Sequence, residues 1–391
     1  MAVAFRMEEV VPCTKCTLNP IPRSGHRIVV DERNMFSVGG YNPANVSSQT
    51  DPPNVVVLKE VWRFNFLTKK WKQMVMKGDV PQFLASHTVT LHGNTLVTFG
   101  GSGVPFGEQS SNDIHLGKLD LNMDTVTWSC LRCSGDRPER KYGHSQITEW
   151  PYLYIVGGTT GFIYNSDVHR LNLQTCHWDI LFDSKQSGEN DTAYCPEGRY
   201  RHEMILYDNK LFMFGGGLAN AVYPLDKIPV FSLETMKWEE VETKGDTLAH
   251  SSSDTSKGYP SARRCHSCLL FDDRMYLYGG RCNSRIYSDL WYLQLKTLQW
   301  HHIPLNMNVT CFFHHAAVSQ SGCMYIFGGV VSTDSEREER TNEIHKIWLH
   351  IPSLKEMAWL VMSDYLTSSP SLPTRGELLK LGVPRDCAQR V

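Results

Sequence analysis

Long apolar runs are absent from this chain of 391 residues, and no stretch of 18 apolar residues occurs in it. A helix that spans a bilayer needs about 20 such residues, so we predict no membrane-spanning helix and no membrane partner. The opening residues, MAVAFRMEEVVPC, contain an arginine and two glutamates where a secretory signal would be apolar. We therefore expect a soluble protein of the cytoplasm or the nucleus.

Blocks of like charge and a high cysteine content are absent as well. With 39 basic and 41 acidic residues and no block of five or six like charges, nucleic acid is not an expected partner. Twelve cysteines are too few for a disulfide-linked scaffold of this length. Cys-x-x-Cys spacings begin at Cys13, Cys130 and Cys265. Residues i and i+3 of a strand point to opposite faces, so a strand at Cys265 could not chelate, and we expect no metal and no other cofactor.

What the sequence does contain is one unit repeated six times. Each copy has a Gly-Gly pair after a mainly apolar run, and the first glycines are Gly39, Gly100, Gly157, Gly215, Gly279 and Gly328. Counting back 13 positions from each reaches a histidine, namely His26, His87, His144, His202, His266 and His315. In five copies a Thr-x-x-Trp signature follows, ending on Trp71, Trp128, Trp178, Trp238 and Trp300. Such regularity indicates a repeat architecture.

Within each unit, short runs of alternating apolar residues are broken by Gly, Asn, Asp and Pro, which indicates about four half-buried strands. We therefore predict an all-β, six-bladed β-propeller over residues 1–351. The predicted blade repeats lie near residues 20–76, 81–133, 138–183, 196–243, 260–304 and 309–351.

The sixth copy lacks its last strand. After Leu349 and Ile351, Pro352 interrupts the pattern and Glu356 occupies the tryptophan position. Residues 5–12, FRMEEVVP, resemble the outer-strand text WEEVETKG, with Phe5 in the aromatic position. Because an unpaired sheet edge is a liability, we predict that this N-terminal segment closes the ring as the outer strand of the last blade.

Beyond residue 351 the spacing becomes helical. Residues 354, 357, 358, 361, 362 and 365 form one apolar stripe, which predicts a helix from Ser353 to Tyr365 that begins with a Ser353–Glu356 capping box. Thr374 and Glu377 predict a second capped helix, which Gly382 and Pro384 end. Short helices are unstable alone, so these must either pack on the propeller or form a docking surface for another protein.

The repeated pattern resembles the kelch-repeat family. The texts GGYNP, GGTTGFIYNSD, EGRYRHE, ARRCHSC, GCMYIFGGVV and KIWLHIPSLKEMAW resemble one group within that family, over residues 20–390. Members of that group are substrate receptors of cullin-2 RING ubiquitin ligases and are attached through elongin B and elongin C. The resemblance implies a non-catalytic receptor, with residues 352–391 as the box that docks elongin and cullin.

The group's docking motifs can be placed residue by residue. The elongin motif falls on Ser353, Leu354, Ala358 and Met362, with Ala358 where the family usually has cysteine. The cullin box falls on Leu372, Pro373, Leu378 and Leu379, with looser spacing than usual. The resemblance therefore implies elongin B, elongin C and cullin-2 as partners, and the elongin assignment is the stronger of the two.

Related receptors recognise the C-terminus of a substrate that ends in glycine or another small residue. Such a site needs a cation for the carboxylate and aromatic walls around it. In a propeller, the positions before each motif histidine and after each glycine pair converge at one mouth of the channel. Among these positions we place the carboxylate first on Arg264, then on Arg201 and Arg281, and we expect the walls to be Tyr200, Tyr142, Phe313 and Tyr41.

Two other functions, a scaffold without ligase activity and catalysis, must be weighed against the receptor. A kelch scaffold that binds a signalling or cytoskeletal protein, without ubiquitin transfer, would need no docking helix. Catalysis by the chain itself is not expected, because the glycine-rich texts GGTTG and FGGSG lack the Lys-Ser/Thr of a phosphate loop.

Overall fold

The computed structural model describes residues 5–13, 18–45, 56–186, 194–248, 258–332, 337–368 and 372–391. Almost all regular structure up to residue 348 is β-strand. The strands of the first half are β1 (Met7–Glu9), β2 (Arg27–Val30), β3 (Asn34–Val38), β4 (Val61–Asn65), β5 (Lys70–Gly78), β6 (Thr88–His92), β7 (Thr95–Phe99), β8 (Ile114–Asp120), β9 (Thr125–Leu131), β10 (Ser134–Gly135), β11 (Ser145–Glu149), β12 (Tyr152–Val156), β13 (Val168–Asn172) and β14 (His177–Phe182).

The second half continues the same pattern and then changes to helix. Its strands are β15 (Glu203–Tyr207), β16 (Lys210–Phe214), β17 (Lys227–Ser232), β18 (Lys237–Glu242), β19 (Ser267–Phe271), β20 (Arg274–Tyr278), β21 (Arg281–Cys282), β22 (Arg285–Ile286), β23 (Leu290–Gln294), β24 (Gln299–Ile303), β25 (His315–Val318), β26 (Cys323–Ser332) and β27 (Glu338–Trp348). The helices are α1 (Leu354–Ser368), α2 (Arg375–Lys380) and α3 (Arg385–Ala388).

The strands form an all-β propeller in which consecutive antiparallel strands make the blades. Four blades are separate sheets, with the strand orders β10-β14-β13-β12-β11, β15-β16-β17-β18, β19-β20-β23-β24 and β1-β27-β26-β25. The remaining long strands form one eight-stranded sheet of order β2-β3-β4-β5-β9-β8-β7-β6, whose two halves join where β5 and β9 run parallel.

A closed ring of backbone hydrogen bonds surrounds the channel at one end. Six residues take part, each with φ between 55° and 63°: Gly25, Ser86, Gly143, Arg201, Cys265 and Phe313. From Ser86 to Phe313, the N–H of each member donates to the carbonyl of the member before it. The N–H of Gly25 donates to the carbonyl of Phe313 and closes the ring, and all six N···O distances are 2.7 to 3.1 Å. The ring therefore joins residues from the first repeat unit to the last.

The motif histidines lie directly after this ring and pack against the glycine pair of the preceding unit. A side chain at Gly100 would put its Cβ 2.7 Å from Cε1 of His144, and one at Gly328 would lie 2.7 Å from Cε1 of His26. Because both glycines also have φ above 55°, only glycine fits there without strain. The contact between Gly328 and His26 joins the last repeat unit to the first.

In the last unit the predicted histidine is wrong by one position. His314, not His315, faces the preceding glycine, with its Cε1 2.8 Å from a Cβ at Gly279. The reason is one extra residue in the hairpin, since His315 pairs with Phe327, twelve positions on, whereas Ser267 pairs with Tyr278, eleven positions on. His315 instead begins β25, and its Nδ1 accepts from the N–H of Ile28.

The apolar core lies between neighbouring sheets. Trp128, Trp178 and Trp300 of the repeated signature are fully buried, each in a cluster that combines side chains of two consecutive units. The cluster that contains Trp71 also contains Phe327 and Ile344 from the last unit. The tryptophans thus fill the space between sheets, as the repeat predicts.

The predicted closure by the N-terminal segment is confirmed in its pairing. Strand β1 lies at the outer edge of the last sheet and pairs antiparallel with β27, with Met7 opposite Ile347. The residue that fills the core is Met7, which is 1% exposed, while Phe5, placed in the aromatic position above, is only half-buried. The N–H of Phe5 donates to the carbonyl of Trp348 at 2.8 Å.

The helical tail is also observed, with altered boundaries. Helix α1 ends at Ser368 rather than at Tyr365, and α3 was not predicted. Ser353 Oγ accepts from the N–H of Glu356 at 3.2 Å, but the Glu356 carboxylate pairs with Arg390, so the capping box is present only in half. At α2 the predicted box between Thr374 and Glu377 is complete. The proposed division at residue 351 falls between β27 and α1.

Closure can be tested by truncating the buried side chain of β1. We expect Met7→Ala to lower the free energy of unfolding by about 2–5 kcal/mol, because it leaves a cavity in the apolar cluster between the fifth and the last repeat units. The matched control is Glu9→Ala at the exposed end of the same strand, with an effect within about 0.5 kcal/mol. The measurement is urea unfolding followed by tryptophan fluorescence. Equal stability of the two variants would contradict closure by this strand.

Candidate functional sites: the channel mouth and the C-terminal helices

The variable positions predicted to line the channel mouth lie together at the hydrogen-bonded ring. The residue before each ring member forms a bridge with the residue after a glycine pair: Ser24 with Tyr41, Ala85 with Ser102, Tyr142 with Thr159, Tyr200 with Gly217, Arg264 with Arg281, and Phe312 with Val330. Counting from His315 would place Phe313 in the bridge of the last unit, but Phe312 forms this bridge and Phe313 is the ring member. The six bridges surround one end of the channel.

Arg201 is the one cationic residue among the six members of the hydrogen-bonded ring. Its Nη2 donates to Ser86 Oγ at 2.6 Å, and its guanidinium carbon lies 4.6 Å from the centroid of the Phe313 ring. The buried Nε has no hydrogen-bond partner. Burial lowers the pKa of Arg201, and in the described part of the chain its guanidinium makes no ion pair. Among the described residues, no carboxylate is hydrogen-bonded to this buried cation.

Aromatic rings form the wall beside Arg201. Its guanidinium carbon lies 5.9 Å from the Tyr142 ring and 5.8 Å from the Tyr200 ring, and these two rings are 6.4 Å apart. Tyr164 contacts Tyr200 at 5.2 Å. Tyr142, Tyr200 and Phe313, all predicted as wall residues, are therefore brought together around one guanidinium.

The other two predicted arginines have hydrogen-bond acceptors or an ion-pair partner within the chain. Nη1 of Arg264 donates to the carbonyls of Leu218 and Ala219, the latter at 3.1 Å. Arg281 forms an ion pair with Glu338 at 3.0 Å. These contacts do not exclude a ligand, but they leave both groups less available than Arg201.

Tyr41 lies farther around the mouth, and its neighbours were not predicted. Its ring centroid is 5.3 Å from that of Phe106, which is 5.9 Å from Tyr142. The guanidinium carbon of Arg340 lies 5.0 Å from the Tyr41 ring, and its Nε donates to Ser24 Oγ at 3.0 Å. Phe106 follows the second glycine pair by five residues, so its position in the sequence could have indicated the mouth. Arg340 lies on β27, where no repeated text indicates it.

The C-terminal helices form the second candidate site. On α1 the outward face is apolar: Leu354, Val361 and Tyr365 are 83%, 74% and 78% exposed, and Ala358 is exposed between them. Together these four residues are the exposed stripe. Of the predicted elongin set, Leu354 and Ala358 belong to the exposed stripe, and Ser353 caps the helix.

Two residues of the predicted stripe lie elsewhere. Met357 is half-buried, and Met362 packs against the cluster that holds the tail on the propeller. That cluster is formed by Leu67, Trp359, Leu366, Leu378, Cys387 and Ala388. One face of α1 thus packs on the propeller, as the first alternative predicted, and the other face is exposed to solvent.

A buried ion pair fixes the same helix. Glu356 and Arg390 are 5% and 7% exposed, and Arg390 Nη2 donates to Glu356 Oε2 at 3.0 Å. Arg390 also pairs with Glu32 of the propeller at 3.1 Å. Its guanidinium therefore links α1, the end of the tail and the turn after β2.

The predicted cullin residues are divided between surface and core. Leu378 is 1% exposed and belongs to the cluster beneath α1. Leu372 and Leu379 are 39% and 37% exposed, and Pro373 is half-buried. Leu372, Pro373 and Leu379 can therefore be reached by a partner, whereas Leu378 supports the fold of the tail.

In the part of the chain that the structure describes, no group of three or more His, Cys, Asp or Glu could hold a metal ion. Cys16, the second cysteine of the first Cys-x-x-Cys, lies outside the described residues. The described helices include none with the length and hydropathy needed to cross a bilayer.

The propeller and its repeated units define a class of protein. The family model for the KLHDC2/KLHL20/DRC7 Kelch-repeats domain matches residues 8–192, 121–256 and 190–371. The chain belongs to the kelch-repeat family, whose propellers are generally non-enzymatic scaffolds for protein interactions.

Individual relatives are similar over nearly the whole chain. Kelch domain-containing protein 10 of Xenopus laevis is 39% identical over 374 residues, which cover 95% of this chain and 86% of the relative. The Homo sapiens protein of that name is 40% identical over 375 residues, covering 95% and 80%. The Kelch domain-containing protein 10 homolog of Drosophila melanogaster is 37% identical over 384 residues, covering 95% and 62%.

The role of the buried ion pair can be tested on α1. Removing one partner of a buried pair is expected to cost about 3–5 kcal/mol, so Arg390→Gln should loosen α1 from the propeller. Hydrogen exchange of the α1 amides should become faster, while that of β26 stays unchanged. The control is Lys355→Gln, which removes the exposed pair with Asp386 and should leave α1 exchange as in the wild type. Unchanged α1 exchange in Arg390→Gln would contradict this role.

Proposed function

We propose that this protein is the substrate-recognition subunit of a cullin-2 RING ubiquitin ligase. In this function a six-bladed propeller binds the C-terminus of a substrate at the channel mouth, and the C-terminal helices dock elongin B, elongin C and cullin-2. The six blades follow if the two halves of the eight-stranded sheet are counted separately, which the ring of six residues supports. No catalytic residue of the chain takes part.

The observation that carries the proposal is the unpaired guanidinium of Arg201. Buried charges in proteins are normally paired, because desolvation of an isolated ion is costly. Arg201 has an unsatisfied Nε and no ion pair within the described residues, so an anion is the ligand it fits. A carboxylate can accept two parallel hydrogen bonds from one guanidinium, which a single neutral acceptor cannot.

The walls favour a small terminal residue. Tyr142, Tyr200 and Phe313 lie within 6 Å of the Arg201 guanidinium carbon, which leaves little room for a side chain next to a bound carboxylate. Glycine at the end of a substrate satisfies this limit. We therefore propose Arg201, rather than Arg264, as the main carboxylate partner, with Arg264 and Arg281 at the edge of the site.

The docking part of the proposal is supported by the exposed stripe of α1. A monomeric surface rarely presents such a row of apolar side chains, and helix-in-groove recognition uses anchors with this spacing. The helix is already held by Trp359 and by the pair between Glu356 and Arg390, so docking would not have to order it. Met362 packs inward, which makes Val361 and Tyr365 the better candidates for the second half of the contact.

Recognition of the terminal carboxylate can be measured with a labelled peptide that ends in glycine. Charge-assisted hydrogen bonds to the terminus predict that Arg201→Gln weakens binding about tenfold or more, and that wild type binds the amidated peptide equally poorly. The matched control is Arg264→Gln, which should stay within about threefold of wild type because that guanidinium is occupied by backbone carbonyls. If Arg264→Gln loses binding and Arg201→Gln does not, the carboxylate lies at Arg264.

Docking can be tested by co-purification. Leu354→Arg should abolish co-purification with elongin B and elongin C, because it places a charge in the exposed stripe. Leu381→Arg is the control, since Leu381 is 78% exposed and lies outside the stripe. Circular dichroism should show both variants folded. If wild type does not co-purify with elongins, the ligase assignment falls and a kelch scaffold for a signalling or cytoskeletal protein replaces it.

A further inference from the structure

A second arginine lies inside the channel, directly below the mouth. Arg27 follows His26 at the start of β2, and its Nη1 pairs with Glu203 Oε1 at 2.9 Å. Glu203 begins β15, in the fourth repeat unit, so the pair joins the first unit to the fourth. The two groups line a cavity of about 290 Å³ within the channel, together with Gln146 and His315.

Arg27 and Arg201 approach the same short segment from different units. Arg201 Nη2 donates to Ser86 Oγ at 2.6 Å, and Arg27 Nε donates to the carbonyl of the next residue, His87, at 3.2 Å. Two guanidinium groups are therefore neighbours at the base of the mouth. Glu203 lies two residues after Arg201 in the chain, yet its carboxylate is bound by Arg27.

Glu203 is thus the nearest competitor of an incoming carboxylate. Its charge interacts with both arginines, and burial raises its pKa, which is the expected effect of a channel that solvates a carboxylate poorly. Without Arg27, the most favourable partner left for Glu203 would be Arg201. Glu203 would then pair with Arg201 inside the channel, and Arg201 could no longer bind a substrate carboxylate at the mouth.

Resting on the function proposed above, we propose that Arg27 is a positioning residue for the anion site: it holds Glu203 below the mouth and so keeps Arg201 free for a substrate's terminal carboxylate. Arg27 does not touch the ligand in this arrangement. The two arginines and the glutamate carry a net charge of +1, which one carboxylate neutralises.

The test is a double-mutant cycle in the full chain, with Arg27→Gln, Glu203→Gln and the variant that combines them. The probe is the glycine-ended peptide in its acid and amide forms, and the readout is the ratio of their affinities by fluorescence anisotropy. We expect Arg27→Gln to lower the affinity for the acid about tenfold, because Glu203 then competes for Arg201. The double variant Arg27→Gln with Glu203→Gln should bind the acid at least about fivefold more tightly than Arg27→Gln alone.

Two single variants separate this role from a purely structural one. Arg27→Lys keeps the charge and should bind the acid within about threefold of wild type. Glu203→Gln, which leaves Arg27 in place, should bind at least as tightly as wild type, and a loss of the acid preference there would overturn the inference. This variant also serves if Arg27→Gln melts below the assay temperature.

The remaining outcomes are also decisive. If Arg27→Gln binds the acid as wild type does, or if the double variant stays as weak as the single one, Arg27 does not act through Glu203. In both cases wild type still prefers the acid, so the proposed function stands while the inference fails. If wild type shows no preference for the acid, the proposed function fails and the inference fails with it.

Discussion

The ring of six backbone hydrogen bonds is the constraint that joins the first repeat unit to the last and forms the channel mouth. Each member has a positive φ, and four of the six are residues other than glycine, so the conformation carries some strain. Neighbours on both sides stabilise this conformation, because the N–H of each member donates to the preceding member and its carbonyl accepts from the following one. The ring sets the spacing of the units and thereby the width of the mouth.

The identity of the ring members also determines part of what the mouth contains. Gly25 and Gly143 leave space, whereas Arg201 and Phe313 fill it. The same backbone geometry can therefore present different chemistry when only a few ring residues change. This separation of scaffold from site is common in propellers, where blades are conservative in shape and the loops vary in function.

The sequence was sufficient for the parts of the fold that repeat. Tryptophans, glycine pairs and capping residues such as Thr374 occupy the places that their spacing predicts. It was insufficient where one residue was inserted, since the count of 13 positions selects His315, whereas the longer hairpin of the last unit puts His314 in the motif position. It could not rank the arginines of the mouth either, because that depends on which carbonyls and carboxylates lie nearby in space. In the tail, the apolar stripe was visible, but its orientation depends on Arg390, 34 residues beyond Glu356.

The pairing of β1 with β27 has a consequence for the order of synthesis. Met7 and its partner Ile347 lie 340 residues apart in the chain, so the last sheet stays incomplete until the ribosome has released both of them. Helix α1 follows only six residues after β27, and its anchors include Leu67 and Glu32 of the already translated propeller. The exposed stripe therefore takes its fixed orientation from contacts with the first repeat unit, against which the last unit packs when the ring is closed.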